Sequence, residues 1–345
     1  MNPRERVQAA LSFQPVDKIA LEIHPSPGGL HNHGQKLLDL MRACGHDFDD
    51  QRGLALPVVP AEDFDSEGRY HRIATDDWGT TWDYRIFGVW GHRIKYPLQD
   101  ISCLKEWRPP AIEKLQGQRL ERARAEAAAH RQTFYQMGGG VSLFETMQSL
   151  RPYEDLLIDI VDDTSEINHL ADLLMDYYTV VIENALAIGV DAITVSDDYG
   201  TQQALILSPK TFRRFFLPRY RALFEPIKRA GKRIVFHSCG RIEPILADLR
   251  SVGVDAIWPQ LPLFDSRHLA QLSRDLGLVL MLHPDRGELM QRGSPQQVRD
   301  YLLRLVDDYH CLSGGSWLYL EVDPGFAWPN VQAMFETVIQ MRNLR

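Results

Sequence analysis

The chain has 345 residues, a formal net charge of −8 and 44% hydrophobic residues, enough apolar material for a large core. The acidic balance, with no basic cluster interleaved with aromatics, excludes a nucleic-acid-binding surface. No apolar run reaches the ~18 residues of a membrane span, no signal-peptide pattern opens the chain, and the four cysteines (44, 103, 239, 311) form no CxxC pair. A reducing, cytoplasmic setting is therefore the expected location.

Asn2 and Pro3 read as the cap and first residue of a helix. A strand-like run at 19–23 leads into His24-Pro25 and then a Gly/Pro-rich loop, 25–34, with His31 and His33. Residues 60–110 differ in character. Their Asp-Trp-Gly-Thr-Thr-Trp-Asp-Tyr and Gly-Val-Trp-Gly stretches predict a β-hairpin insertion, with aromatics that pack it onto the body of the protein. Further strands are expected at 133–137, 191–196, 233–237, 254–258, 278–282 and 316–321, and an eighth near 140–144. Several are continuously apolar and β-branched, as strands buried on both faces are. Helical patterns fall at 153–160, 166–188, 209–230, 242–251, 267–276 and 295–309. The run from Pro209 carries one apolar face, and Pro218 and Pro226 predict a kink or break within it. Repeated strand–helix units imply a parallel sheet, and no GxGxxG or Walker loop follows any strand. The expected fold is a single (β/α)8 TIM-type barrel spanning 1–345, with the 60–110 segment as its insertion.

In such a barrel the chemistry sits at the C-terminal strand ends. Those ends carry His24, Asp197-Asp198-Tyr199-Gly200-Thr201-Gln202, His237-Ser238-Cys239-Gly240, Gln260, His283 and Glu321-Val322-Asp323. Alternation along a strand points His237 and Cys239 to the same side, and imidazole and thiolate are favoured zinc ligands. The plain alternative is a packed His beside an inert Cys. A catalytic zinc needs a third protein ligand. Glu321 is the best-placed candidate, with His283 and Asp323 as substitutes, while Cys311 precedes its strand and is poorly placed. Asp197, Asp198 and Gln260 are the catalytic candidates; one Asp is expected to cap the following structure and one to face the site. His24, Tyr199, Gln202 and His283 are expected around the substrate.

The blocks Asp197–Gln202, Ser208-Pro209, Phe212, Pro218, His237–Gly240 and Gly253-Val254-Asp255, with Arg4-Glu5-Arg6-Val7 and Pro329-Asn330-Val331 near the two ends, resemble the uroporphyrinogen decarboxylase-like superfamily over nearly the whole chain. The resemblance implies a (β/α)8 barrel. True decarboxylases of that superfamily grip substrate carboxylates with an Arg-containing block near the N-terminus; the corresponding stretch here, 21–35, has no Arg. The other branch holds zinc-dependent methyltransferases that work with corrinoid proteins, their zinc bound by a His-x-Cys pair and a later Cys. His237 and Cys239 match the pair; the later Cys is missing and Glu321 stands near its place. The resemblance therefore implies bound Zn2+, a corrinoid on a partner protein, and methyl transfer involving a methyl ether, amine or thiol. Two other functions remain open: a lyase acting on a carboxylated substrate smaller than a porphyrinogen, and a non-catalytic barrel that binds a tetrapyrrole or corrinoid.

Overall fold

The apolar runs become strands because each is flanked on both faces by side chains that exclude water. The computed structural model describes residues 1–343. Seven parallel strands form one curled sheet: β1 (Leu21–His24), β5 (Met137–Val141), β6 (Ala192–Ser196), β7 (Arg233–Ser238), β8 (Ala256–Pro259), β9 (Val279–Leu282) and β10 (Ser316–Glu321). Their spatial order is β1-β10-β9-β8-β7-β6-β5. On the outer face Ile193, Ile234, Phe236, Ile257, Leu280 and Leu318 are fully or almost fully buried against the helices. On the inner face Ala192, Val235, Ala256, Val279, Met281 and Trp317 fill the barrel. Each of the Val, Leu, Ile, Phe and Met side chains contributes roughly 1.5–3 kcal/mol through burial. This is a TIM-type α/β barrel.

The eighth stave is not a strand. β1 and β5 are the two sheet edges, and an irregular segment at 46–48 bridges them. Asp47 N–H donates to Leu21 O (2.9 Å), and Tyr135 N–H donates to Asp47 O (3.1 Å). The Asp47 carboxylate accepts from Leu21 N–H (2.8 Å) and from Arg342 (2.9 Å), and pairs with Arg6. A buried carboxylate held by two guanidinium groups thus stands in for a run of ladder bonds.

The expected strands at 133–137 and 140–144 are one strand between those positions, β5, whose glycine-rich interior (Gly138, Gly139, Gly140) hides the β pattern. The predicted loop with His31 and His33 is a short helix, Pro27–His33, capped by Ser26. The long run from Pro209 breaks at Phe216, so that Pro218 falls in the first turn of a second helix, Leu217–Arg229. The insertion is a three-stranded antiparallel sheet of β2 (Arg72–Thr75), β3 (Thr81–Tyr84) and β4 (His92–Lys95). Trp78 stacks on Trp107 within the insertion and packs it onto the barrel through Tyr177. No helix among the described residues is long and apolar enough to cross a membrane.

Candidate metal centre at the barrel mouth

β6 and β7 pair in register, with Ser196 opposite His237. The two chains then stay together beyond their strand ends. Asp197 N–H donates to His237 O (3.1 Å) and Gly200 N–H to Cys239 O (3.2 Å). Tyr199 N–H donates to Ser238 Oγ (2.9 Å), and Cys239 N–H donates to Asp198 Oδ1 (2.7 Å). This approach requires glycine. Gly240 has φ +81°, and a Cβ there would stand 2.0 Å from the carbonyl carbon of Gly200. The Gly after His-Ser-Cys is therefore what brings the Asp198 loop onto the Cys239 loop.

The result is a cluster of Asp198, His237 and Cys239, with one ligand atom of each within 4.8 Å of the others. His237 Nε2 lies 3.4 Å from Cys239 Sγ and 3.4 Å from Asp198 Oδ1. Tetrahedral zinc with ordinary Zn–N, Zn–S and Zn–O bonds separates its ligand atoms by about 3.3–3.6 Å, so these residues fit such an ion. His237 Nδ1 donates to Trp258 O (2.9 Å), which fixes the tautomer and leaves the Nε2 lone pair facing the cluster. Burial holds the His237 imidazole below its ordinary pKa, and hence neutral. Burial, with the Asp198 carboxylate adding to it, pushes the Cys239 thiol up to about 12. A cation between these groups would reverse that last effect by displacing the thiol proton. A thiolate, a carboxylate and a neutral imidazole together balance a divalent charge.

Glu321, the expected third ligand, lies elsewhere. It is on β10, three strands from β7. Its Oε2 is 2.8 Å from Arg286 Nη1 and accepts from Tyr319 O–H (3.1 Å). Asp323, one substitute, makes a two-pronged pair with the same Arg286 at 2.7 Å on each prong. His283, the other substitute and also an expected substrate contact, is buried, and its ring nitrogens lie 2.7 and 2.9 Å from Pro284 O and Pro259 O. Cys311 is buried in a short turn before β10. The neighbouring strand end supplies the third group because β6 and β7 are hydrogen-bonded, whereas β10 faces them across the barrel.

The paired aspartates divide sharply. Asp197 is fully buried, and its carboxylate accepts from Leu143 N–H (2.9 Å), Glu145 N–H (2.8 Å) and Tyr220 O–H (2.5 Å). It caps the helix Leu143–Leu150 from another strand and has no open face for catalysis. Burial pushes its carboxyl up to about 8, against hydrogen bonds that favour the charged form. Tyr199 is equally unsuited to contact a substrate. It is 1% exposed, stacked on Phe144, and its hydroxyl meets that of Tyr220 at 2.6 Å. Gln260 and Gln202 do meet at the mouth: Gln260 Oε1 accepts from Gln202 Nε2 and from Gly240 N–H, both at 3.1 Å. That pairing steadies the Cys239 loop. His24 is exposed and stacks on Tyr319 with ring centroids 6.2 Å apart.

Several mouth residues escaped the sequence reading. The Trp258 ring lies 4.0 Å from His237 and 4.3 Å from Tyr319, making an aromatic wall beside the cluster. Arg286 lies over the Trp258 ring, 5.7 Å from its centroid. Glu145 opens the helix after β5; burial, then Asp198, raises its pKa, and Arg93 pairs with it at 3.2 Å. The end of the strand expected near 140–144 was not counted among the chemistry-bearing strand ends, and Glu145 was passed over with it.

The family model described as uroporphyrinogen decarboxylase (URO-D) matches residues 93–341. No curated protein matches the chain. Among solved structures, a methyltransferase from Methanosarcina mazei is similar at TM-score 0.63 and 15% identity, with 99% of each chain covered. A dihydropteroate synthase from Xanthomonas albilineans follows at TM-score 0.37 and 13% identity, covering 57% of this chain and 66% of that one. The end-to-end match to the first is a likeness of fold. The matched residues include β5 through β10 and every member of the Asp198, His237 and Cys239 cluster, and on that match the chain belongs to the uroporphyrinogen decarboxylase (URO-D) family.

Proposed function

We propose that this protein is a zinc-dependent methyltransferase that moves a methyl group between a small methyl ether, amine or thiol and a corrinoid cofactor carried by a partner protein. The observation that carries the reading is the convergence of Asp198, His237 and Cys239 at separations suited to a tetrahedral ion. A fold shared end to end with a protein named as a methyltransferase is in keeping with it. When bound, zinc supplies Lewis acidity that lowers the charge cost at the heteroatom gaining or losing the methyl group.

The chain's own residues have distinct tasks in this reading. His237 presents Nε2 because Trp258 O holds its other nitrogen. Cys239 must lose its Sγ proton to act as a ligand, and Asp198 brings the second negative charge. Trp258 and Tyr319 keep water from one side of the cluster and leave a flat apolar wall for a methyl-bearing group. The lyase reading is less favoured. Gripping several carboxylates takes unengaged cations, and Arg93 and Arg286 at the mouth are already paired with Glu145, Glu321 and Asp323.

The test is metal content. The purified protein is expected to hold one zinc per chain, and His237→Ala, Cys239→Ala and Asp198→Ala are each expected to lose most of it while keeping their circular dichroism. Stoichiometric zinc retained by the first two variants would overturn the proposal.

A further inference from the structure

The insertion carries a hollow of about 310 Å³ on one face of its antiparallel sheet. β2 and β3 pair with Arg72 opposite Tyr84 and Ala74 opposite Trp82. Residues two apart on a strand share a face, so these four side chains stand together. Ala74 is the small one among them and leaves the floor open. Tyr70, Phe87 and Trp90 add to the wall, and no Asp or Glu lines it. Trp90 is 80% exposed, a large ring left in water beside a cavity. The other arginines of this region are engaged: Arg69 with Asp65 and Glu67, Arg85 with Asp83, and Arg93 with Glu145. Arg72 has no ion-pair or hydrogen-bond partner among the described residues, nor do the hydroxyls of Tyr70 and Tyr84, and all three residues line the hollow. The Arg72 charge is felt at the Tyr84 hydroxyl, where it opposes the upward push of burial. Asp76, the carboxylate that also acts on Tyr84, is taken up by Trp82 Nε1 (2.8 Å) and by the N–H groups of Trp78 and Thr80. Arg93, opposite Trp82 on β4, shares the face and reaches Glu145, so the hollow lies on the side of the insertion that turns toward the barrel mouth.

We propose that this hollow is a binding site for a small aromatic carboxylate. The Arg72 guanidinium meets the carboxylate with charge-assisted hydrogen bonds. The hydroxyls of Tyr70 and Tyr84 donate to its oxygens. The rings of Tyr84, Phe87 and Trp90 receive the ligand ring edge-on or offset, and Ala74 lets it settle onto the sheet. An ammonium ligand meets a cation here and no acid. A saturated acid keeps the charge contact and forgoes the aromatic one. None of Asp198, His237 and Cys239 lines the hollow. The site therefore stands apart from the metal cluster, and nothing in it needs the methyl-transfer reading.

The probes are benzoate, its neutral isostere benzamide and the saturated cyclohexanecarboxylate, titrated calorimetrically into the full chain at neutral pH. Benzoate is expected to bind saturably. Benzamide is expected to bind at least roughly tenfold more weakly, since the charge-assisted contact is lost. Cyclohexanecarboxylate is expected to bind several-fold more weakly, since ring–ring contact is lost. Arg72→Gln is expected to weaken benzoate by about tenfold. Ala74→Leu, which fills the floor, is expected to abolish binding. Both positions lie outside the two hydrophobic cores, so neither variant disturbs the barrel. Binding is expected to survive His237→Ala, as it would not if the anion sat on a metal there. No saturable benzoate binding, equal binding of benzamide or of cyclohexanecarboxylate, benzoate affinity unchanged in Arg72→Gln or in Ala74→Leu, or loss of binding in His237→Ala would each overturn the proposal.

Discussion

The two sides of the barrel treat buried polar groups in opposite ways. On the β6–β9 side the buried groups at the strand ends are satisfied from within. Asp197 accepts three hydrogen bonds, Asp255 binds Lys228, Arg233 and the Ile234 N–H, and His283 donates from Nδ1 to Pro284 O and accepts at Nε2 from Leu261 N–H. At the seam between β1 and β5, Gln51, Tyr135 and Gln136 are left without partners. Full satisfaction is the mark of a group that holds the fold. The metal cluster lies between these cases. Backbone hydrogen bonds orient His237 and Asp198, and their lone pairs meet the Cys239 sulfur on the inner side.

The strongest way to break this contrast is at Asp47, a seam residue that is fully paired. Asp47→Ala leaves Arg342 without a carboxylate in the interior and Arg6 with Asp17 alone and is expected to cost about 3–5 kcal/mol in urea unfolding. A cost below about 1 kcal/mol would show that the irregular stave does not close the barrel.

Acidification tests the same seam. His46 Nδ1 accepts from Phe48 N–H (2.9 Å) and its Nε2 donates to Ile23 O (2.9 Å), so the ring must be neutral in the folded state. Burial lowers its pKa to about 4. The unfolded chain, near 6.5, then takes up a proton first, and stability falls as pH drops from about 6.5 to 4, by at most roughly 3 kcal/mol from this group. Unfolding midpoints across that range, with His46→Gln as the comparison, should show the slope in the parent protein and a shallower one in the variant.

The paired aspartates sharpen the difference between holding and facing. Asp197→Asn keeps the volume but leaves too few acceptors for three donors, and is expected to lose about 2 kcal/mol of stability with metal content unchanged. Metal loss in Asp197→Asn with stability intact would invert the assignment. The smallest effect is expected for Glu321→Gln, which loosens a partly exposed pair with Arg286. A stability change of about 0–1 kcal/mol and unaltered zinc binding are expected, and zinc lost from this variant alone would restore Glu321 as a ligand.

Much of the fold was legible because parallel strands buried on both faces must be apolar throughout. β6, β7, β9 and β10 came out of the sequence within a residue or two of their observed ends. β5 did not, because three consecutive glycines erase the side-chain pattern on which the reading depends. The irregular stave did not either, because its hydrogen bonds run through one carboxylate and not through a repeating ladder. At the site, His237 and Cys239 were legible as a pair two residues apart at the end of one strand. Asp198 was legible as one of two candidates, but its neighbour Asp197 is its equal in sequence and its opposite in environment.

The sequence by itself determined the architecture and two of the three members of the candidate metal centre, because strand alternation is local and fixes which side a residue faces. Which strand ends meet was decided only by the closed sheet. It set Asp198 against Cys239 through the contact of Gly200 with Gly240 and turned Glu321 toward Arg286. Residues on different strands become neighbours through the curvature and register of the whole barrel, and no spacing along the chain encodes that distance.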